Sequence, residues 1–238
     1  MNHELAYDNA ILRFLNKVTD LVVLNLLFLV TSIPIFTIGA SLTAMHAVNL
    51  RSIRYGDGYV IRQSFKAWKE NFLQATISWL IFLAAGLVLC IDYRFWAVSK
   101  VGTLGRVEQV VLIAIAIFFW MLATWLFPLL AKMRGSLKEQ FQNALRMSVA
   151  YFLPYTICTM AIAGGAAYAA IRNVGALIIL LVLGFSLVSY LQSFFFYRVF
   201  AKHIDEDPVG ECDPLYGYGA EPKKTDSGDN IRRKGTAE

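Results

Sequence analysis

The sequence predicts an all-α protein, a polytopic membrane helical bundle of about five transmembrane helices. Three observations carry that prediction. Of the 238 residues, 57% are hydrophobic and only 16% charged, against roughly 25% charged in a typical soluble domain. The apolar residues form uninterrupted runs, and the basic residues cluster in the short segments between them.

Asp, Glu, Lys and Arg are absent from 21–49, 71–91, 109–131, 147–171 and 173–197. A bilayer core about 30 Å thick needs roughly 20 helical residues to cross it. Backbone amides find no water there, so helices are the spanning form for windows of this length. The predicted spans are 21–45, 72–91, 110–131, 153–171 and 174–197, within a membrane domain at 21–200.

Residues 1–20 alternate apolar and charged positions at helical spacing, with Ile11, Leu15, Val18 and Val22 opposite Asp8, Arg13, Lys17 and Asp20. They predict an interfacial segment leading into the first span. No short apolar core of a secretory signal is present there. Residues 201–238 are rich in charge, Gly and Pro and predict a disordered cytoplasmic tail.

The net charge of +5 comes from cations beside the spans, a membrane pattern that speaks against a nucleic-acid partner. Membrane lipids are the expected partner. With 21–45 as a single crossing, eleven Lys and Arg fall on the face of the loop after span one and six on the other. The positive-inside rule then predicts the amino terminus outside and the carboxyl terminus in the cytoplasm, in the inner or plasma membrane.

Within the first window, Pro34 lacks an amide hydrogen and clashes with the preceding turn. Pro34 and Gly39 therefore mark a candidate helix kink. The small residues Ala161, Gly165 and Ala169 form a stripe for close helix packing. Around the first basic loop, Arg62, Lys66, Trp68 and Lys69 combine cations with an interfacial aromatic. That combination predicts a segment lying along the inner membrane surface, a candidate docking site for lipid or a partner protein. The segment beginning at Ser64 resembles the one at Ser136 when shifted by 72 positions, as a duplicated hairpin would.

No catalytic, cofactor-binding or metal-binding pattern emerges. His3, His46 and His203 are isolated from one another, and His46 reads as interfacial. The cysteines Cys90, Cys158 and Cys212 have no metal-ligand spacing. Gly102-Thr103-Leu104-Gly105 reads as a short turn, and no charge occupies a span centre, where ion-coupled transporters place theirs. Asn25, Thr31, Thr37, Thr124 and Gln192 are the polar side chains available to line a path for a neutral solute.

The blocks Ser32-Ile33-Pro34-Ile35-Phe36-Thr37-Ile38-Gly39-Ala40-Ser41-Leu42-Thr43-Ala44 and Phe65-Lys66-Ala67-Trp68-Lys69-Glu70-Asn71-Phe72-Leu73-Gln74-Ala75-Thr76 resemble the YesL family of bacterial integral membrane proteins. The resemblance extends more loosely through Leu126-Phe127-Pro128 to about residue 200. It implies no activity, cofactor or catalytic residue. Its members are typically found beside carbohydrate-uptake systems, which implies a helper acting with a sugar-uptake permease complex. The first loop lacks the Glu-Ala-Ala coupling motif of binding-protein-dependent permeases. The expected function is thus a non-catalytic helper of such a system, and the alternative is a self-contained permease for a neutral solute.

Overall fold

The computed structural model describes residues 10–55, 59–98, 102–133, 135–151 and 156–203. The tail from 204 onward, the first nine residues and the Gly56-Asp57-Gly58 loop lie outside the described residues. Among the described residues eight α-helices follow one another: α1 (Ala10–Thr31), α2 (Ile38–Tyr55), α3 (Val60–Val98), α4 (Gly102–Lys132), α5 (Leu137–Ala150), α6 (Ile157–Arg172), α7 (Val174–Ile179) and α8 (Phe185–His203). A 3-10 turn, Ile35–Thr37, precedes α2, and a π-helical turn, Leu180–Gly184, joins α7 to α8. By length and composition, Phe14–Thr31, Val60–Val98, Gly105–Lys132 and Val174–Phe200 can each cross a membrane, and α6 is a shorter apolar helix. The protein is a multi-pass helical membrane bundle.

The first charge-free window is not one span. α1 begins at Ala10, inside the segment expected to lie at the interface, and continues without interruption to Thr31. There the Thr31 hydroxyl folds back on Leu27 O at 2.7 Å. Pro34 is extended, with φ −76° and ψ 118°, so the helix is broken outright and not merely kinked. Thr37 N donates to Pro34 O at 2.9 Å, and the Thr37 hydroxyl lies 2.6 Å from Thr31 O, which gives that carbonyl a partner at the break. At the far end Lys17 Nζ donates to Ser52 Oγ. The start of α1 therefore meets the end of α2, and the two helices form an antiparallel hairpin with its tip at 32–37.

Packing against α3 explains Gly39. A Cβ there would come within 2.5 Å of both Ala75 O and Trp79 Cβ, so only glycine lets the two backbones approach this closely. Gly39 lies inside α2, where it is a contact point and not a bend. The Trp79 indole donates to Ile35 O at 2.8 Å and ties the hairpin tip to α3. Beyond Trp79, α3 continues for about another 28 Å at 1.5 Å per residue.

The basic segment 62–69 departs from expectation as well. It forms the first turns of α3, in one unbroken helix with the apolar run that follows, and it does not turn aside beneath the membrane. A 39-residue helix is about 58 Å long, more than a bilayer core requires. Gly102, read as part of a turn, is the first residue of α4. Its φ of +59° is open to glycine at little cost, and α4 packs along α3.

The core lies where the end of α4 meets the end of α8. Trp125, Leu126, Leu129 and Leu130 pack with Phe196, Val199 and Phe200, joined by Ala40, Ala75 and Ala144. α5 starts with a capping box, Ser136 Oγ accepting from Glu139 N while the Glu139 carboxylate accepts from Ser136 N. Ser64, its counterpart at the 72-residue offset, is a buried residue within α3, so the two segments are built differently. After α5 the chain breaks before α6 and is pinned there by the Trp125 indole donating to Thr156 Oγ1 at 2.8 Å.

A candidate functional site in a buried polar cluster

α2 is the most polar of the long buried helices. Ser41, Thr43, His46 and Asn49 are all buried on it. Ser41 donates to Thr37 O in the preceding 3-10 turn, and Thr43 to Gly39 O of the helix itself. His46 and Asn49, one turn apart, face α8, where Ser189 and Ser193 stand at matching helical spacing. Asn49 Nδ2 donates to Ser189 Oγ at 3.0 Å. Ser189 and Ser193 each place a hydroxyl 3.2 Å from His46 Nδ1. Ser189 Oγ accepts from Asn49, and the His46 tautomer sets which partner donates at Nδ1. The ring also makes an edge contact with Phe196, at 6.0 Å between centroids. His46 is thus an inter-helix junction and not an interfacial residue.

A second polar junction joins α1 to the π-helical turn. Widening a helix to π geometry breaks its regular ladder. The fully buried Asn25 bridges the region, its Nδ2 donating to Leu181 O at 2.6 Å and its Oδ1 accepting from Ser186 N at 3.0 Å. Gln192 Nε2 likewise donates to Thr159 O at 2.9 Å and holds α8 to α6.

Chemically, this arrangement joins helices. Two serines share one imidazole nitrogen, and the group is packed among buried residues, so a substrate carbonyl could reach either hydroxyl only by displacing the core. Among the described residues no group of His, Cys, Asp and Glu is placed to hold a metal ion. The residues named for a neutral-solute path also bond to the protein itself. Asn25, Thr37 and Gln192 do so as above, and Thr31 and Thr124 bond to carbonyls of their own helices.

The four candidate docking residues differ in their surroundings. Trp68 is partly buried against the core and stacks obliquely on Phe72, at 4.6 Å between centroids. Arg62 and Lys69 are exposed, and Lys66, also exposed, borders a cleft shared with α2. The predicted small-residue stripe is exposed along its length, with nothing near a Cβ added at Gly165. Its neighbour Gly164 makes the contact instead, where a Cβ would stand 3.1 Å from the Trp120 ring.

The sequence reading missed the His46–Asn49–Ser189–Ser193 cluster. The available signal was a polar stripe, Ser186, Ser189 and Ser193 with Gln192 beside it, recurring at helical spacing through an otherwise apolar span.

A family model described as a protein of unknown function, DUF624, matches residues 21–93. The match takes in the second half of α1, the hairpin tip, α2 and α3 as far as Tyr93, and makes the chain similar over that region to an uncharacterised family. No curated protein matches the chain. No solved structure matches it either.

Proposed function

We propose that this chain is a non-catalytic subunit of the cytoplasmic membrane that assists a carbohydrate-uptake, binding-protein-dependent system by packing against its permease. The observation that carries the reading is the contrast between the buried polar junctions of α1, α2 and α8, which bond within the protein, and an apolar exterior with unfilled space. Past the hairpin tip, α3 and α4 border an open groove of about 380 Å³ lined by Phe82, Gly86, Leu89, Leu112, Ala116 and Phe119, among others. Small residues beside aromatics suit the close approach of another membrane helix. The carbohydrate context rests on the resemblance to the YesL family.

The orientation we propose places the carboxyl terminus in the cytoplasm, in keeping with the excess of basic residues on that face. The amino terminus belongs on the same side. Support comes from the Lys17–Ser52 contact and from Val60 packing with Leu24 and Val48, which bring the starts of α1 and α3 to one end of the hairpin. The reading with the amino terminus outside depended on 21–45 being a single crossing.

Gly86 provides the test, since a Cβ added there meets nothing within 4 Å and the fold should tolerate a larger side chain. Wild-type protein purified from native membranes is expected to bring down a sugar-permease subunit, and Gly86→Leu to lose it at equal abundance. Reporters fused at the amino terminus and after residue 57 should read cytoplasmic together. Absence of a permease subunit even with wild type, combined with neutral-solute uptake by vesicles holding this protein alone, would replace the helper reading with a self-contained permease.

A further inference from the structure

We infer that the α1–α2 hairpin is re-entrant: it enters and leaves the bilayer at the face that holds the start of α3, turns inside the hydrocarbon, and presents its tip to lipid acyl chains.

Charge sets the depth of each leg. α1 is free of Asp, Glu, Lys and Arg only from Leu21 to Thr31, and α2 only from Ile38 to Leu50. Those stretches are about 16 and 20 Å long, against a hydrocarbon core of about 30 Å. On α3 the charge-free stretch from Asn71 to Ile91 is about 31 Å long and fills that core by itself. α2 meets α3 where Gly39 lies against Ala75 and Trp79, and Ile35 O receives the Trp79 indole. Trp79 stands only about 12 Å beyond Asn71 along the helix, so the tip stops well short of the far surface. A tip at the far surface would draw residues 60–79 of α3 into hydrocarbon, Arg62, Lys66, Lys69 and Glu70 among them, where each charge is expensive. It would also push the exposed Leu87, Val88, Ile91 and Phe95 out into water.

The turn is built for that depth. Ile33, Pro34, Ile35 and Phe36 are all exposed and apolar. Non-helical backbone persists at membrane depth only where its polar groups find partners other than lipid. Here the Thr37 hydroxyl reaches Thr31 O, Thr37 N donates to Pro34 O, Trp79 Nε1 donates to Ile35 O, and Ser32 N returns to Phe28 O. Pro34 has no amide hydrogen to satisfy. Apolar side chains around carbonyls that the protein already occupies suit hydrocarbon, and acyl chains are what cover Ile33, Ile35 and Phe36.

The name of the entry face, cytoplasmic, rests on the orientation proposed above; the depth does not. The experiment uses the full chain with Cys90→Ser, Cys158→Ser and Cys212→Ser, and a single cysteine introduced as Ile33→Cys, Phe36→Cys, Arg62→Cys, Ile81→Cys or Val98→Cys. In right-side-out and inverted native vesicles, a membrane-impermeant maleimide should label Val98→Cys from outside and Arg62→Cys from the cytoplasmic face. Ile33→Cys and Phe36→Cys should react at least about tenfold more slowly than both from either face, because apolar surroundings disfavour the reactive thiolate, and should react fully once denatured in sodium dodecyl sulfate. In phosphatidylcholine–phosphatidylglycerol proteoliposomes, a nitroxide on Ile33→Cys should collide with oxygen in preference to a water-soluble nickel complex. That preference should match the one at Ile81→Cys and exceed the one at Val98→Cys. Reversed labelling of the Arg62→Cys and Val98→Cys references, with Ile33→Cys still protected, would overturn the proposed orientation and uphold the re-entrant depth. Ready labelling of Ile33→Cys from the same face as Val98→Cys would overturn the inference. So would weak collision with both reagents at Ile33→Cys, which would put another protein surface over the tip.

Discussion

The hairpin of α1 and α2 and the hairpin formed by the far halves of α3 and α4 solve opposite problems. α2 is enclosed by α1, α3, α4 and α8, and it carries Ser41, Thr43, His46 and Asn49 with partners for each. The far half of α3 presents Leu87, Val88, Ile91, Phe95 and Val98 outward and has a wide apolar face. Protein shields one region and lipid faces the other. Polarity is affordable only in the first, because unpaired polar groups in hydrocarbon cost several kcal/mol each.

If that division is right, the largest effects should follow from breaking the shielded polar junctions. Asn25→Leu keeps approximate volume but strands Leu181 O and Ser186 N in the core. At about 1–3 kcal/mol for each unsatisfied group, the variant should lose roughly 2–6 kcal/mol, read as a large fall in unfolding temperature in detergent. An unchanged melting temperature would show that the π-helical turn does not need Asn25.

A smaller effect comes from two glycines with opposite surroundings. Gly39→Ala must push α2 away from Ala75 and Trp79 and should cost about 1–3 kcal/mol, as overpacking does. Gly165→Ala meets nothing within 4 Å and replaces a poor helix former with a good one, so it should be neutral or stabilising by up to about 1 kcal/mol. Comparing the two melting curves sharpens the contrast, because equal losses would mean that contact across the α2–α3 interface is not what distinguishes the sites.

The same division explains what the sequence disclosed. The lipid-facing stretches were legible as uninterrupted apolar runs, and α3, α4, α6 and the α7–α8 helix fall where those runs are. α2 was not separable, since its buried polar residues dilute hydropathy without adding charge. The charge-free window 21–49 therefore ran through a chain reversal that only Pro34 and its Thr and Ser neighbours marked. Conversely, Lys66 and Lys69 interrupt hydropathy but not helix geometry, so α3 extends past the boundary that charge suggested. His46 stood near Arg51 in the sequence and looked interfacial, while its true neighbours, Ser189 and Ser193, lie more than 140 positions away.

The reversal at 32–37 is the feature on which the architecture turns, and a distance tests it directly. Cysteines placed at Lys17 and Ser52, with Cys90, Cys158 and Cys212 replaced, should be joined within one chain by a short bifunctional thiol reagent, with the linked peptides identified by mass spectrometry. The hairpin brings those two side chains into contact, so efficient intramolecular linkage is the expected result. One continuous helix from 17 to 52 would separate them by about 52 Å, and failure to link in membranes where both cysteines react singly would contradict the account.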